Sequence, residues 1–386
     1  MLTRQGWVAL GVAVAAVVGG RALGTVELYV IAVALVAAVV IAIAAVRRPL
    51  PHLHVHRTLE PATITVGEPA RARLTVTNRG AVRTPRLVLW EPVGDKGGAP
   101  MQLAPLGARR SCTAMYRIPT DRRGLLRTGP LRADRNDALG LASRTVVMVG
   151  SDVVTIVPQR LPLTFPTLAA RGPVGELLRT KSHGVSGNEF HSQREYVPGD
   201  DLRRINWKSS ARLDTLIVRE AATPAIRQCT VVLDTAASEY DTASFERAVV
   251  AAASVVASAD AAGVPTRLVA PEIDLRGNDI ASHSLRWLAT VAMSGVDVMR
   301  SLGGRPTHDG LGLVVVVTGR PTSGALGAAS QITGPDDVTI GITATDAAAA
   351  PTGTRSNAPL LVDATTLASL RSDWERLVGG QTEAAR

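Results

Sequence analysis

Two long apolar runs near the N-terminus constrain this chain more than any other feature of its sequence. Residues 6–20 are uninterrupted apolar sequence, and residues 26–46 contain one charge, Glu27, close to their start. A helix that crosses the hydrocarbon core of a bilayer needs about 20 apolar residues. The second run meets that length and the first falls slightly short of it. Together they predict a transmembrane helical hairpin over residues 1–48.

The arginine positions predict the orientation of this hairpin. Arg4 precedes the first run, Arg47 and Arg48 follow the second, and Arg21 lies in the short turn between them. Cytoplasmic flanks of membrane spans carry an excess of basic residues. We therefore expect a cell-membrane protein with two spans, with both ends and the soluble domains in the cytoplasm. A cleaved signal peptide is the alternative, but the second run and the lack of a convincing cleavage site favour a hairpin.

Composition narrows the function classes. A chain of 386 residues allows two or three domains. The formal net charge of +9 comes almost wholly from arginine, but aromatic residues are not interleaved with the basic ones as stacking platforms would require, so we do not expect nucleic-acid binding. Cys112 and Cys229 lie far apart, which argues against a disulfide framework or a thiolate metal site.

Residues 49–158 show short stretches in which apolar and polar residues alternate. The stretches are bounded by glycine, proline and asparagine, and they recur at regular spacing. This pattern predicts an antiparallel β-sandwich. Six arginines in the region form a basic cluster that either meets anionic lipid headgroups or is a solvated face: Arg109, Arg110, Arg117, Arg122, Arg123 and Arg127.

Residues 229–386 alternate apolar strands with amphipathic helices. This order predicts a doubly wound, mostly parallel α/β sheet. Ligands of such sheets bind at the carboxyl ends of the strands. Asp234 and Ser238 follow the first predicted strand of the region directly.

This C-terminal region resembles a von Willebrand factor A domain. That family carries D-x-S-x-S after its first strand, and the motif helps to hold a divalent metal through oxygen ligands. Here the motif has Ala236 in place of its first serine, and the central strand ends in Thr318-Gly319 without the family's aspartate. The resemblance implies a degenerate Mg²⁺ site at Asp234 and Ser238. The alternative is that both side chains cap the following turn.

The sequence of residues 159–228 predicts a linker and a charged segment. Pro198-Gly199 predicts a turn, after which Asp200 or Asp201 would cap a short helix that reaches Trp207 or Ser210. The following apolar stretch predicts a strand at an edge of the sheet. We expect the Trp207 side chain to pack back onto the domain.

The same segment resembles the signature of the bacterial and archaeal family called domain of unknown function fifty-eight. The match runs without gaps from Gly187 to Glu220. The resemblance also covers the membrane hairpin, the β-sandwich with its segment at residues 137–141, and the von Willebrand A-like domain. It marks these positions as a site for partner docking or for a structural lock: Glu189, Phe190, Arg194, Tyr196, Gly199, Asp200, Arg203, Ile205, Trp207, Ser210, Arg212 and Glu220.

The resemblance implies a membrane-anchored, non-catalytic adaptor or scaffold. Members of that family are commonly paired with MoxR-type AAA+ ATPases and with other von Willebrand A-like membrane proteins, in the maturation or assembly of proteins at the membrane. One alternative is a purely structural membrane protein with a divalent-metal site. The other is an enzyme of unknown reaction that uses Asp200, Asp234, His183 or His191, although no nucleophile–base spacing or phosphate loop supports it.

Overall fold

The N-terminal apolar runs form two helices, α1 (Arg4–Leu23) and α2 (Val26–Arg47). The computed structural model describes residues 2–49, 52–95, 97–185, 190–198, 205–213, 215–221, 226–295, 311–321, 323–345 and 360–379. By length and composition, both helices are able to cross a membrane. The prediction of two apolar helices is confirmed, whereas the cytoplasmic placement of the other domains stays a prediction.

The chain divides into two compact units, Met1–Val157 and Pro158–Arg386. In the first unit the helices precede ten described strands: β1 (Leu53–Glu60), β2 (Ile64–Thr65), β3 (Ala70–Asn78), β4 (Leu87–Pro92), β5 (Gly98–Leu103), β6 (Ser111–Ile118), β7 (Gly124–Thr128), β8 (Leu131–Asn136), β9 (Ser143–Val149) and β10 (Asp152–Val157). They form sheets of order β1-β3-β6, β2-β10-β7 and β5-β4-β8-β9. Every pairing is antiparallel except that of β2 with β10, so the predicted antiparallel sheets are confirmed.

Alternating side chains on these strands build one hydrophobic core. On β3, Ala70, Ala72, Leu74 and Val76 are buried, while the residues between them are more exposed. The core continues through β4, β8 and β10, among other strands. The period of two in the sequence therefore marks the faces of the strands that pack together.

A buried ion pair lies at the edge of this core. The Glu91 side chain is fully buried, and its carboxylate pairs with the guanidinium of Arg57, which also pairs with Asp152 at the surface. Burial raises the pKa of Glu91, and the positive charge of Arg57 opposes that shift. Burial also raises the pKa of Tyr116, and the adjacent Glu91 charge raises it further. The carboxylate thus depends on Arg57 for its counter-charge.

Replacement of Arg57 by Met should strongly destabilise the β-sheet unit. Removing one partner of a buried ion pair costs about 3–5 kcal/mol, because the other charge is left uncompensated. Hydrogen exchange of peptides from β1, β3 and β4 in the full-length protein would measure this loss of stability.

The double variant Arg57→Met/Glu91→Leu is the control. It removes both charges together and should recover most of the lost protection. If Arg57→Met alone leaves the exchange of these strands unchanged, the pair does not stabilise the unit.

The second unit contains the remaining described elements: α3 (Pro173–Val185), β11 (Phe190–Glu195), α4 (Trp207–Leu213), β12 (Ile217–Ala221), β13 (Gln228–Leu233), α5 (Thr242–Ala261), β14 (Thr266–Ala270), β15 (Ile273–Arg276), α6 (Ile280–Thr290), β16 (Gly312–Thr318), α7 (Gly324–Ile332), β17 (Val338–Thr343), β18 (Leu360–Asp363) and α8 (Leu367–Gly379). Six strands form one sheet of order β15-β14-β13-β16-β17-β18. All its pairings are parallel except that of β14 with β15.

The central strands of this sheet are buried along their whole length. Every residue of β16 is buried, as expected for a strand with both faces covered. Val232, Val314 and Val316 pack in one cluster with alanines of α7. On α8, Trp374 is fully buried, and its indole N–H donates to the Thr164 carbonyl at 2.8 Å. The predicted alternation of strands and helices is therefore present.

The structure corrects several predictions for the second unit. Neither α3 nor the antiparallel edge strand β15 was predicted from the sequence. The strand at residues 217–221 pairs with β11 in a separate two-stranded sheet, so its placement at an edge of the main sheet was wrong. The short helix begins at Trp207, where the prediction had it end there or at Ser210.

Candidate functional site

The family-signature segment folds around an antiparallel pair of strands, β11 and β12, with α4 between them in sequence. We call the described parts of residues 190–221 the signature hairpin. Arg194 pairs with Val218 and Glu195 with Ile217, and the Tyr196 N–H donates to the Leu216 carbonyl at 2.7 Å. Four predicted site residues, Glu189, Gly199, Asp200 and Arg203, lie outside the described residues, and for Phe190, Arg194 and Glu220 only the backbone is described.

Two signature residues hold α4 against β12. Ile205 is buried and forms a backbone bridge with Val218. The Ser210 hydroxyl, also buried, accepts a hydrogen bond from the Ile217 N–H at 2.8 Å. The Asn206 N–H adds a third link, because it donates to the Ile217 carbonyl at 2.7 Å. Ile205 and Ser210 therefore fix the position of the helix start.

Trp207 occupies the first position of the helix that these contacts fix, and its side chain is 67% exposed. The expectation that it packs back onto the domain was wrong. Two further apolar side chains at this end of the hairpin are exposed, Val197 at 57% and Leu216 at 43%. Arg212 is exposed on α4, and Tyr196 is partly buried. We call Val197, Trp207 and Leu216 the hairpin-end surface.

An exposed tryptophan on a fixed backbone is characteristic of a binding surface. Tryptophan and arginine are enriched among the residues that dominate interface energies. A large apolar side chain left in water also gains from being covered by a partner. The hairpin-end surface therefore has the chemistry of a docking site, while Ile205 and Ser210 have structural roles.

A second cluster of polar groups lies at the carboxyl ends of β13 and β16. Asp234, which is 2% exposed, follows β13. One of its carboxylate oxygens accepts hydrogen bonds from the hydroxyls of Thr318 and Ser323, both at 3.1 Å. The other accepts the Ala236 N–H at 3.0 Å. Ser323 also caps α7, because its hydroxyl accepts the Ala325 N–H at 3.1 Å.

The turn after β13 is tied to the loop after α6. The hydroxyls of Thr235 and Ser294 are 2.9 Å apart, and the Ser294 N–H donates to the Thr235 carbonyl at 2.7 Å. Burial raises the pKa of Tyr240, and the negative charge of Asp234 raises it further. Ser238 is exposed on the same turn. Asp234 thus joins two strand ends and one helix start.

Protein donors satisfy the Asp234 carboxylate without a divalent metal. Mg²⁺ requires near-octahedral oxygen ligands and is usually held by one or two carboxylates with several waters. Asp234 already accepts three hydrogen bonds from the protein, and Ala236 supplies no side-chain oxygen. Among the described residues, no group of three or more His, Cys, Asp or Glu side chains could hold a metal ion. The cluster is better described as a hydrogen-bonded brace, which is the capping role that was the alternative for Asp234.

Part of the predicted basic cluster lines a pocket in the first unit. The pocket has a volume of about 510 Å³ and lies beside β7. Arg122, Arg123 and Arg127 line it, together with Asp95 and Asp121. The mixture of charges means that this pocket is not a purely basic one.

Comparisons with known proteins bear on the signature hairpin and the Asp234 brace. Residues 192–272 match the family model described as Protein of unknown function DUF58. The match includes α4, β12, β13 and α5, and it supports the predicted resemblance to that family. It does not test the association with an ATPase or the von Willebrand A-like fold.

One relative and two solved structures are similar to parts of the chain. The uncharacterized protein YeaD of Bacillus subtilis (strain 168) is 25% identical over 273 residues, which cover 64% of this chain and 65% of YeaD, just under two thirds of its length. The CARDB domain of the PF1109 protein from Pyrococcus furiosus is 15% identical, with 28% of this chain and 96% of that domain covered and a TM-score of 0.23. The PKD domain of an M14-like peptidase from a Thermoplasmatales archaeon is 17% identical, with 29% and 97% covered and a TM-score of 0.19. At these TM-scores the structural likeness carries no conclusion.

The partners of Asp234 were not predicted from the sequence. The helix-capping role of Ser323 could have been predicted, because a serine directly before a helical stretch is a typical N-cap. The contact with Thr318 has no such sequence signal, because 84 residues separate Thr318 from Asp234 along the chain.

Replacement of Asp234 by Ala should destabilise the second unit by about 1–3 kcal/mol, because buried hydrogen-bond donors lose their acceptor. Asp234→Asn should cost less, since it retains one acceptor oxygen. Thermal unfolding of full-length protein with EDTA and with Mg²⁺ would measure both effects. Asp260→Ala, at an exposed position near the end of α5, is the control and should change the stability by no more than about 0.5 kcal/mol. A melting temperature that rises with Mg²⁺ in the parent but not in Asp234→Asn would contradict the brace.

Proposed function

We propose that this protein is a membrane-anchored, non-catalytic adaptor or scaffold that works with a MoxR-type AAA+ ATPase in protein maturation or assembly at the membrane. The observation that carries the proposal is the 67% exposure of Trp207 within the segment that resembles the family signature. Buried contacts of Ile205 and Ser210 fix the helix that presents it. The hairpin-end surface is the proposed docking face for the ATPase.

The two apolar helices support the membrane anchor. Their outward-facing side chains are largely exposed, including Val8 at 65% and Val33 at 69%, and such surfaces suit lipid. Arg4 precedes the hairpin and Arg47 and Arg48 follow it, so both of its ends belong in the cytoplasm. In the proposed orientation the soluble domains lie beside the inner face of the cell membrane, where an AAA+ ATPase has access to them.

The strand order of the second unit supports a von Willebrand A-like domain. If its strands are numbered in chain order from β13, their spatial order across the sheet is 3-2-1-4-5-6. The third strand lies at the edge and is antiparallel to its neighbour. Asp234 lies where that family holds its metal, but here the carboxylate is used by internal donors. We propose that this domain supports assembly, including contact with other von Willebrand A-like membrane proteins, without metal chemistry.

The test is co-purification from native membranes followed by identification of bound AAA+ ATPase by mass spectrometry. Trp207→Ala should weaken binding by at least about 30-fold, the loss that corresponds to a hot-spot residue. Its melting temperature should change by no more than about 2 °C, because an exposed side chain contributes little to folding.

Met115→Ala is the matched control, since Met115 is another exposed apolar side chain, at 53%, in the first unit. It should bind the ATPase like the parent protein. Equal binding by Trp207→Ala, or unfolding of that variant, would contradict the docking role. An absence of ATPase from the parent sample would contradict the adaptor function.

A further inference from the structure

The loop between β8 and β9 holds both ends of the apolar hairpin. We call residues 137–142 the junction loop. At the start of α1, the Thr3 N–H donates to the Leu141 carbonyl at 3.0 Å and the Thr3 hydroxyl donates to the Gly140 carbonyl at 2.5 Å. At the end of α2, Ala42 and Val46 pack against Ala142.

The junction loop is internally braced. The Asp137 carboxylate accepts the N–H groups of Leu139 at 2.8 Å and Ala142 at 2.6 Å. Gly140 has a φ of 68°, in the left-handed region that glycine tolerates. The loop nevertheless leaves Leu139 65% exposed, beside the helix start that carries Trp7, also 65% exposed. A fixed apolar side chain and a tryptophan at the end of an apolar helix fit the interfacial layer of a bilayer.

Four arginines converge where α2 ends. Arg135 and Arg144 are cross-strand partners on β8 and β9. Arg135 donates to the Arg48 carbonyl and Arg144 to the Arg47 carbonyl, both at 3.1 Å. These contacts satisfy carbonyls that the helix end leaves without partners. They also bring the two guanidinium groups to the side of Arg47 and Arg48.

Among the residues that the structure describes, these four guanidinium groups have no carboxylate partner. Within the described stretches, the ion pairs involve other residues, and Asp137 is occupied by backbone amides. The nearby Asp134 accepts the Thr145 hydroxyl at 2.5 Å. Burial lowers the pKa of Arg135, and the positive charges of Arg48 and Arg144 lower it further, so these three groups are close enough to repel one another. An anion between them would relieve this repulsion.

We propose that Arg47, Arg48, Arg135 and Arg144 bind the phosphate-bearing headgroup of an anionic phospholipid. The assignment rests on the membrane anchor of the proposed function, because it requires the end of α2 to lie at the bilayer surface. Guanidinium groups bind phosphate oxygens through paired hydrogen bonds, and anionic leaflets attract juxtamembrane arginines. The junction loop, with Leu139 and the start of α1, sets the depth of the site.

Native mass spectrometry of the full-length protein, released from equal amounts of phosphatidylglycerol and phosphatidylcholine, tests the site. The parent should retain phosphatidylglycerol preferentially. Arg47→Gln/Arg48→Gln should lower that preference by about 25-fold, a factor of about five for each charge at an anionic surface. Both side chains are exposed, so the fold should persist. Arg135→Gln/Arg144→Gln should also lower the preference.

The matched control is Arg71→Gln/Arg117→Gln. These exposed arginines are also cross-strand partners, and they lie beside Glu60 at the other end of β1, roughly 23 Å from its start. The control should keep the lipid preference of the parent. An equal loss in the control, or no preference in the parent, would overturn the headgroup site.

Quenching of Trp7 by brominated phosphatidylcholine separates this site from the membrane anchor. The signal is the difference between the parent and Trp7→Phe in vesicles. Quenching of Trp7 without a preference for phosphatidylglycerol would contradict the headgroup site and support the membrane anchor. If Trp7 is not quenched, the anchor fails and the headgroup site fails with it.

Discussion

The constraint on which the rest of the structure depends is the apolar surface of α1 and α2. Side chains such as Val14, Val30 and Ile41 are 63% to 68% exposed, and they cannot all be covered by the other helix. Water disfavours such a surface, whereas lipid accommodates it because every helical backbone group is already hydrogen-bonded. The polar ends of the helices are instead held by protein, through Thr3 at one end and the arginines of β8 and β9 at the other. The β-sheet unit is thereby fixed to the ends of the hairpin.

The signature segment combines the structural role and the docking role, which the sequence had left as alternatives. Ile205 and Ser210 are buried and join α4 to β12, which is the work of a structural lock. Trp207 lies between them in sequence but is exposed, as a docking residue must be. Ile205 precedes the helix and Ser210 lies only about 60° around the helix from Trp207, so the buried contacts hold the backbone directly beside the exposed indole. One motif therefore both fixes the backbone and presents the side chain.

The sequence predicted the regular elements better than their ends and their polar contacts. The buried strand β16 carries a strong apolar pattern over several residues, and it was predicted as the central strand. The strand β15 has only four residues, too few for a pattern, and the ion pair that links it to β14 joins Asp274 to Arg267 across the two strands. Trp207 was misplaced because tryptophan is usually at least partly buried, and because contacts of Ile205, Asn206 and Ser210 with β12 set where its helix begins.

The polar contacts within the candidate sites could not be predicted from the sequence either. Asp234 was found from its position after a strand, but the hydroxyls that surround it come from residues 84 and 89 positions away. The arginines at the end of α2 were read only for membrane orientation, because Arg135 and Arg144 join them through the fold. Contacts of this kind depend on topology, which local periodicity does not encode.

Photo-crosslinking from position 207 in native membranes would test the central claim most directly. A photoreactive phenylalanine analogue replaces Trp207 in one sample and the fully buried Trp374 in another, and cross-linked proteins are identified by mass spectrometry. We expect position 207 to cross-link to an AAA+ ATPase and position 374 to give only cross-links within this chain. If position 207 also gives only internal cross-links, its side chain is not a docking residue and the adaptor function does not act through the signature hairpin.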